Sequence, residues 1–292
     1  MNILTFDIEE WYLEKVFNGN RGYMFQQFND ALERLLLELE RRQIKATFFC
    51  VGKLAKDFPE VIRCISSHGH EIGCHSNEHT WIDKMDEMQL RRDTSEAVKY
   101  LEDVSGQKVV SYRAPAFSIT PHNKWAINVL ADCGIENDAS IFPSFRDFGG
   151  YNDFPTDEPC VVVHEGVGLK EFPICLTAII GKKIAYSGGG YFRILPYWFI
   201  SSVMNRRDYN IFYFHLKDLL NEKIVFLSKE AYEDYFKEKG TFKNRFIRYV
   251  KDNATSGNTF NKLSKLFMKN EMMPLEKAVK MVDWEKVKKI KI

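Results

Sequence analysis

Seven side chains in this sequence have types and spacing suited to metal or acid–base chemistry. Asp7 and Glu9 are acids one residue apart, His75 and His79 form a His-x-x-x-His pair, and Arg113, Asp138 and His215 stand singly. Each follows a short apolar run, at residues 2–6, 70–74, 109–112, 135–137 and 210–214. If those runs are parallel strands, five strands deliver charged or imidazole groups at their C-terminal ends. In an α/β barrel those ends converge on one mouth, where active sites are built.

Residues two apart on a strand share a face, so a strand running through Asp7-Ile8-Glu9 points both acids one way. Two carboxylates held together call for a cation or a retained proton. The plainer alternative is that Asp7, Glu9 and Glu10 decorate a helix start. His75 and His79, at i and i+4, face the same way on a helical turn, close enough to share an ion. Such pairs are common by chance, and a lone histidine is usually structural. An acid plus two imidazoles leaves coordination positions open for water and substrate. Ser76 follows His75, so the HExxH helix of zinc proteases is absent. His215 is either a core histidine bonded to backbone or a general acid. The sequence has no GxSxG elbow, no P-loop and no GxGxxG after a strand. Gly188-Gly189-Gly190 precedes Tyr191 rather than Lys-Ser/Thr, which leaves a flexible or substrate-facing loop.

The elements that must position these groups alternate. Strands are expected at 2–6, 45–51, 70–74, 109–112, 135–137 and 210–214, and helices at 29–42, 59–67, 87–105, 123–133 and near 196–204. In 29–42, Leu32, Leu35, Leu36 and Leu39 make one apolar side. This rhythm predicts a parallel sheet or barrel. Residues 140–190 break it, with Gly149-Gly150, four prolines and strand-like runs at 160–164 and 171–175, and read as loops and strands over the mouth. From 228 the chain is Lys-rich and helical without strand signals, so residues 1–227 are expected to form the barrel and 228–292 a helical extension on its outside. Residues 253–258 read as a turn, and Trp284 with 287–292 as a solvated basic end rather than a partner contact.

The 292 residues suffice for a barrel of about 200–250 residues plus an appendage. With 45% hydrophobic and 28% charged residues and a net charge of +1, nothing global argues for nucleic acid or an anionic membrane. No run approaches the ~18 apolar residues of a membrane span, and no leader is visible; with Met1 as the start, a cytoplasmic protein is expected. Six cysteines without CxxC spacing read as reduced and buried.

In chain order, Thr5-Phe6-Asp7-Ile8-Glu9-Glu10-Trp11, Ala46-Thr47-Phe48-Phe49-Cys50-Val51-Gly52 and Gly69-His70-Glu71-Ile72-Gly73-Cys74-His75-Ser76-Asn77-Glu78-His79 form a motif series. Tyr112-Arg113-Ala114-Pro115-Ala116-Phe117-Ser118-Ile119, Asp138-Ala139-Ser140-Ile141-Phe142-Pro143 and Phe212-Tyr213-Phe214-His215 continue it. The series resembles the polysaccharide deacetylase (NodB-homology, carbohydrate esterase family 4) superfamily. With Gly188-Gly189-Gly190-Tyr191-Phe192-Arg193 and Pro196, it most resembles the deacetylases found with exopolysaccharide and exosortase systems. The resemblance implies a distorted seven-stranded (β/α) barrel and removal of N-acetyl or O-acetyl groups from a saccharide. It implies one divalent ion, zinc by default with cobalt, nickel or manganese as alternatives, on Glu9, His75 and His79. Asp7 would be the general base, Arg113 its partner, His215 the general acid and Asp138 the residue orienting His215. The Ala116 N–H would share the oxyanion.

Trp11, Trp81, Phe117 and Tyr191 are candidate sugar platforms, although aromatics mostly serve burial; Arg193 is a further substrate-binding candidate. Most members carry adjacent Asp-Asp where this chain has Asp7-Ile8-Glu9, Leu216 stands where Pro often follows the last His, and the usual Trp after Asp138 is missing. Two other readings are a hydrolase of a small amide or cyclic imide and a glycan-binding barrel without turnover.

Overall fold

Asn-Ile-Leu-Thr-Phe-Asp-Ile is buried almost throughout, the mark of a strand covered on both faces. In the computed structural model it is β1 (Asn2–Ile8), the second strand of a nine-stranded sheet. The structure describes residues 1–146, 149–179, 181–220, 226–236, 239–253 and 259–292. The other strands are β2 (Thr47–Cys50), β3 (Glu71–Cys74), β4 (Ser111–Tyr112), β5 (Asn137–Asp138), β6 (Cys160–His164), β7 (Val167–Glu171), β8 (Thr177–Ile179), β9 (Lys182–Ile184), β10 (Asn210–His215) and β11 (Lys288–Lys291). The order is β10-β1-β2-β3-β4-β5-β7-β6-β11, with β8 and β9 forming a separate hairpin. The first seven in that order are parallel. β6 then turns antiparallel to β7, and β11 runs parallel to β6.

This is an α/β fold with a mostly parallel central sheet, but strand pairing does not close it among the described residues; β10 and β11 are edges. The chain after β7 nevertheless reaches β10. Tyr209 Oη donates to Pro173 O at 2.7 Å, and the Ile211 N–H donates to Cys175 Sγ at 3.3 Å. Pro173 has no N–H for a ladder, which is one reason the seam is made by side chains. All six cysteines are free thiols.

Helices Pro59–Ser67 and Glu87–Ser105 have the expected bounds. The helix expected from 29 begins earlier, as Gly22–Arg41, because Met24 and Phe28 continue the buried stripe of Leu32, Leu35, Leu36 and Leu39 backward in steps of four. The expected 171–175 strand lies mostly past β7, which ends at Glu171.

The tail departs from expectation. Met273 bridges β1, with Leu4 N–H to Met273 O and Met273 N–H to Asn2 O both at 3.0 Å. Leu275 N–H donates to Thr47 Oγ1 at 2.7 Å and Glu276 N–H to the buried Glu71 carboxylate at 2.9 Å. Residues 272–278 thus cover the strand starts, at the opposite end of the sheet from the mouth. Beyond them, Lys288–Lys291 keeps its lysines exposed but is an edge strand on β6, and Trp284 is anchored by Nε1 to Val279 O at 2.8 Å and edge-on to Phe172. Lys-Lys-Ile-Lys hides this because lysines suit an exposed edge and erase the apolar alternation. The turn expected at 253–258 lies, beyond Asn253, outside the described residues.

Removing residues 270–292 therefore unfolds the barrel rather than merely lowering solubility. Met272, Met273, Leu275 and Ala278 are all buried, and each large apolar side chain is worth about 1.5–3 kcal/mol. Their loss is comparable to the roughly 5–15 kcal/mol that holds a domain together. Thermal melting followed by circular dichroism is the check; a cooperative transition within a few degrees of the full chain would contradict it.

Candidate metal centre and its flanking groups

Register puts Asp7 opposite His215 on one side and Phe49 on the other, at the C-terminal ends of β10, β1 and β2. The chain leaves β1 at Ile8, and Glu9 becomes the N-cap of helix Glu10–Phe17. There Glu9 Oε2 lies 2.6 Å from His79 Nε2 and 3.6 Å from His75 Nε2. One ligand atom from each of the three residues falls within 4.8 Å of the others.

Glu9 Oε2 is buried and accepts no hydrogen bond, although an imidazole nitrogen is so near. Burial pushes the Glu9 carboxyl up, but His79, Lys217 and His215 outweigh it and hold it well below the usual range. Burial pulls His79 down from its ordinary value despite Glu9, so its ring is neutral at pH 7. His75 Nδ1 sits 2.7 Å from Arg113 O, which can only accept. The Nδ1 proton is thereby fixed, and Nε2 is the ring nitrogen turned toward Glu9. A buried carboxylate with an orphaned oxygen, facing two imidazole nitrogens, fits a divalent cation.

The His75–His79 segment is not the helical turn that i, i+4 spacing suggests. It is an irregular loop in which Ser76 (φ 59) and His79 (φ 56) take left-handed backbone, and this brings the rings together. Side-chain spacing carries no trace of those two dihedrals.

Asp7 Oδ1 accepts from Arg113 Nη1 at 2.8 Å, and Arg113 is fully buried. Its guanidinium also donates to Thr5 Oγ1 at 2.7 Å and Ala139 O at 3.1 Å and stacks 4.3 Å over Phe49. His215 Nε2 lies 3.7 Å from Glu9 Oε1 and 3.9 Å from Asp7 Oδ2. Burial lowers the His215 pKa, but Glu9, Asp218 and Asp7 more than reverse this against Lys217, and the net shift is upward.

Asp138 does not reach His215. Its register partner is Glu171, its carboxylate accepts from Ser140 Oγ, and burial raises its pKa beside Glu171. The carboxylate beside the imidazole is that of Asp218, with Oδ2 3.7 Å from Nδ1 and accepting the His215 backbone N–H at 2.9 Å. The reading of single residues passed over Asp218, although His-x-x-Asp has capping-box spacing. It also passed over Lys217, whose Nζ lies 3.2 Å from Glu9 Oε1, and Glu10, which accepts the Lys217 N–H at 2.9 Å.

Among the proposed sugar platforms, Trp11 is 1% exposed, donates to Asn29 Oδ1 and packs edge-on against Phe28, so it is core. Phe117 is buried between Phe142 and Tyr213, while Ala116 before it is partly exposed with φ 55. Trp81 is half-buried with Lys84 over its ring, and Tyr191 is 44% exposed. Arg193 is largely buried with Nε 3.7 Å from Asp218 Oδ1, so it backs the carboxylate beside His215. The first two glycines of the run are closely packed, while Gly190 faces open space. A Cβ on Gly189 would lie 2.0 Å from Asp218 Oδ2, and one on Gly188 2.2 Å from the Tyr213 ring.

Asp218→Asn is expected to move the alkaline limb of activity to lower pH. A general acid must be protonated, so activity falls as pH rises through the raised His215 pKa; without the Asp218 charge that pKa drops and activity is lost sooner. Gly189→Ala, which displaces the same carboxylate, should act in the same direction. A pH–rate profile of kcat is the check, and an unmoved alkaline limb in Asp218→Asn would remove Asp218 from this role.

The sheet and the groups at its mouth define a class, an α/β barrel-like fold with acids and imidazoles gathered at the strand ends. Residues 3–137 match the polysaccharide deacetylase family, and residues 139–280 match a family described as a domain of unknown function, DUF3473. The chain thus carries a polysaccharide deacetylase domain followed by a DUF3473 region. That second match runs through residue 227 without a break.

A peptidoglycan-N-acetylglucosamine deacetylase of Bacillus cereus is 31% identical over 94 residues, 32% of this chain and 34% of that protein. A chitooligosaccharide deacetylase of Azorhizobium caulinodans is 30% identical over 93 residues, 32% of this chain and 41% of that protein. The chain thus matches well under half the length of these curated relatives. A crystal structure of a proposed polysaccharide deacetylase of Mycobacterium smegmatis superposes on 100% of this chain and 92% of that one, with TM-score 0.66 at 18% identity, a likeness of fold. Among the described residues, no helix is long and apolar enough to cross a membrane.

Proposed function

We propose that this chain is a metal-dependent hydrolase that removes acetyl groups from the nitrogen, or the oxygen, of a saccharide. One observation carries the reading: Glu9, His75 and His79 converge on one point, with Asp7 and His215 beside it. Zinc is the default ion for two imidazoles and a carboxylate. Bound there, it would polarise the acyl carbonyl and lower the pKa of water toward neutrality. Asp7 takes the proton from the attacking water, and Arg113 fixes the carboxylate for that task. His215 gives a proton to the departing nitrogen. The Ala116 N–H is assigned to the developing oxyanion, the kind of contact that typically stabilises the transition state most.

The relatives named for peptidoglycan N-acetylglucosamine and chitooligosaccharides support a saccharide as the substrate class. An amine is a poor leaving group, so an imidazole with a raised pKa favours N-acetyl over O-acetyl substrates. A glycan-binding barrel without turnover needs neither a base paired to a buried Arg nor an oriented acid, which favours catalysis. The test is acetate release from N-acetylglucosamine oligomers by the zinc-loaded protein, repeated with chelator. Release that chelator abolishes is expected. Hydrolysis of small amides or cyclic imides, with the oligomers untouched, would replace the saccharide by a small-molecule substrate.

A further inference from the structure

The loop between the two imidazoles is held from behind, and we propose that Asp93 is a positioning residue for the metal centre. The inference rests on the reading of Glu9, His75 and His79 as ligands. Ser76 and His79 both have positive φ, a strained backbone for side-chain-bearing residues that persists only where the surroundings fix it. The loop carbonyls are satisfied on one side, where Gly52 N–H donates to Ser76 O at 2.9 Å and Lys53 N–H to Asn77 O at 3.0 Å.

The loop donors are satisfied on the other side, by helix Glu87–Ser105. Asn77 N–H donates to Asp93 Oδ2 at 2.8 Å, and Glu78 N–H bonds the same carboxylate. One turn on, Glu96 Oε2 accepts the Asn77 side-chain amide at 3.0 Å. The helix is packed closely at this point, since a Cβ on Gly52 would lie 2.5 Å from Ala97 Cα and 2.7 Å from Asn77 Oδ1.

Asp93 therefore fixes two of the three backbone N–H groups that lie between the two ligands in sequence, those of Asn77 and Glu78, and with them the angle at which the two rings meet Glu9. A carboxylate accepts at either oxygen, whereas an amide in its place offers one accepting oxygen and an NH₂ that cannot accept. The signal in the sequence is an acid at the inner edge of an amphipathic helix, one position before the buried Thr94.

Outer partners of metal ligands typically matter by about 10–100-fold in affinity. The experiment uses the full chain, stripped of metal, with zinc titrated against a chromophoric chelator, and hydrogen exchange followed over residues 75–79. In Asp93→Asn the zinc Kd rises about 10–100-fold, and the Asn77 and Glu78 amides lose protection while the rest of the helix keeps its own. Asp93→Glu, which retains the carboxylate, recovers most of the affinity and serves as the folded comparison if Asp93→Asn does not fold. Zinc affinity and amide protection equal to wild type in Asp93→Asn overturn the proposal; so does Asp93→Glu binding no better than a folded Asp93→Asn. If the wild-type chain binds no zinc, the ligand reading is what fails, and Asp93 is judged on protection alone, with unchanged Asn77 and Glu78 exchange counting against it.

Discussion

His75→Ala loses metal and turnover together. The imidazole is buried, its Nε2 faces Glu9 Oε2 and its Nδ1 is tied to Arg113 O. Without it, Glu9 and His79 remain, and two protein ligands are too few for a tight zinc site. The metal is expected to supply several kcal/mol of transition-state stabilisation, so its loss lowers the rate by about 10³-fold or more. The substitution leaves the sheet intact, since the loop backbone keeps its bonds to Gly52 and Lys53. Metal content by elemental analysis and acetate release, on protein shown folded by circular dichroism, make the check. A variant with wild-type metal content would remove His75 from the ligand set.

Asp7→Asn, in contrast, keeps the metal and loses turnover. Asp7 is not among the three residues whose ligand atoms converge; its Oδ1 is engaged by Arg113 and its Oδ2 faces His215. An amide preserves shape and the oxygen that accepts from Arg113, but it cannot take a proton from water. Loss of a general base costs about 10²–10⁴-fold in rate. A second consequence follows from burial: Arg113 is left without its carboxylate, and breaking a buried ion pair destabilises by roughly 3–5 kcal/mol. The variant should therefore melt earlier while still binding one equivalent of zinc. Glu9→Gln should do the reverse, emptying the site. If Asp7→Asn emptied it and Glu9→Gln did not, the roles of the two acids would be exchanged.

Which parts of this were legible in the sequence follows from what each depends on. Strand positions and the arrival of Asp7, His75, Arg113 and His215 at one mouth came from hydrophobic periodicity, a local signal strong in buried parallel strands. What a residue touches across the sheet is not local. Asp138 meets Glu171 because β5 pairs with β7 across a long intervening stretch, residues 139–166, that no pattern announces. Trp11 follows an active-site motif, yet the helix Gly22–Arg41 covers it. The loop of Ser76 and His79 depends on two backbone dihedrals set by Gly52, Lys53 and Asp93, all distant in sequence or hidden in other elements. β11 was missed for the opposite reason: its local signal, three lysines in four residues, is that of a solvated tail, while its stability comes from β6.

The central claim is that Glu9, His75 and His79 bind one divalent ion, and anomalous diffraction at the zinc edge from zinc-loaded crystals tests it most directly. The account predicts a single strong peak about 2.0–2.1 Å from Nε2 of both His75 and His79, with a Glu9 carboxylate oxygen about 2.0–2.2 Å away. Well-ordered Glu9, His75 and His79 with no peak between them, or a peak on other residues, would contradict it.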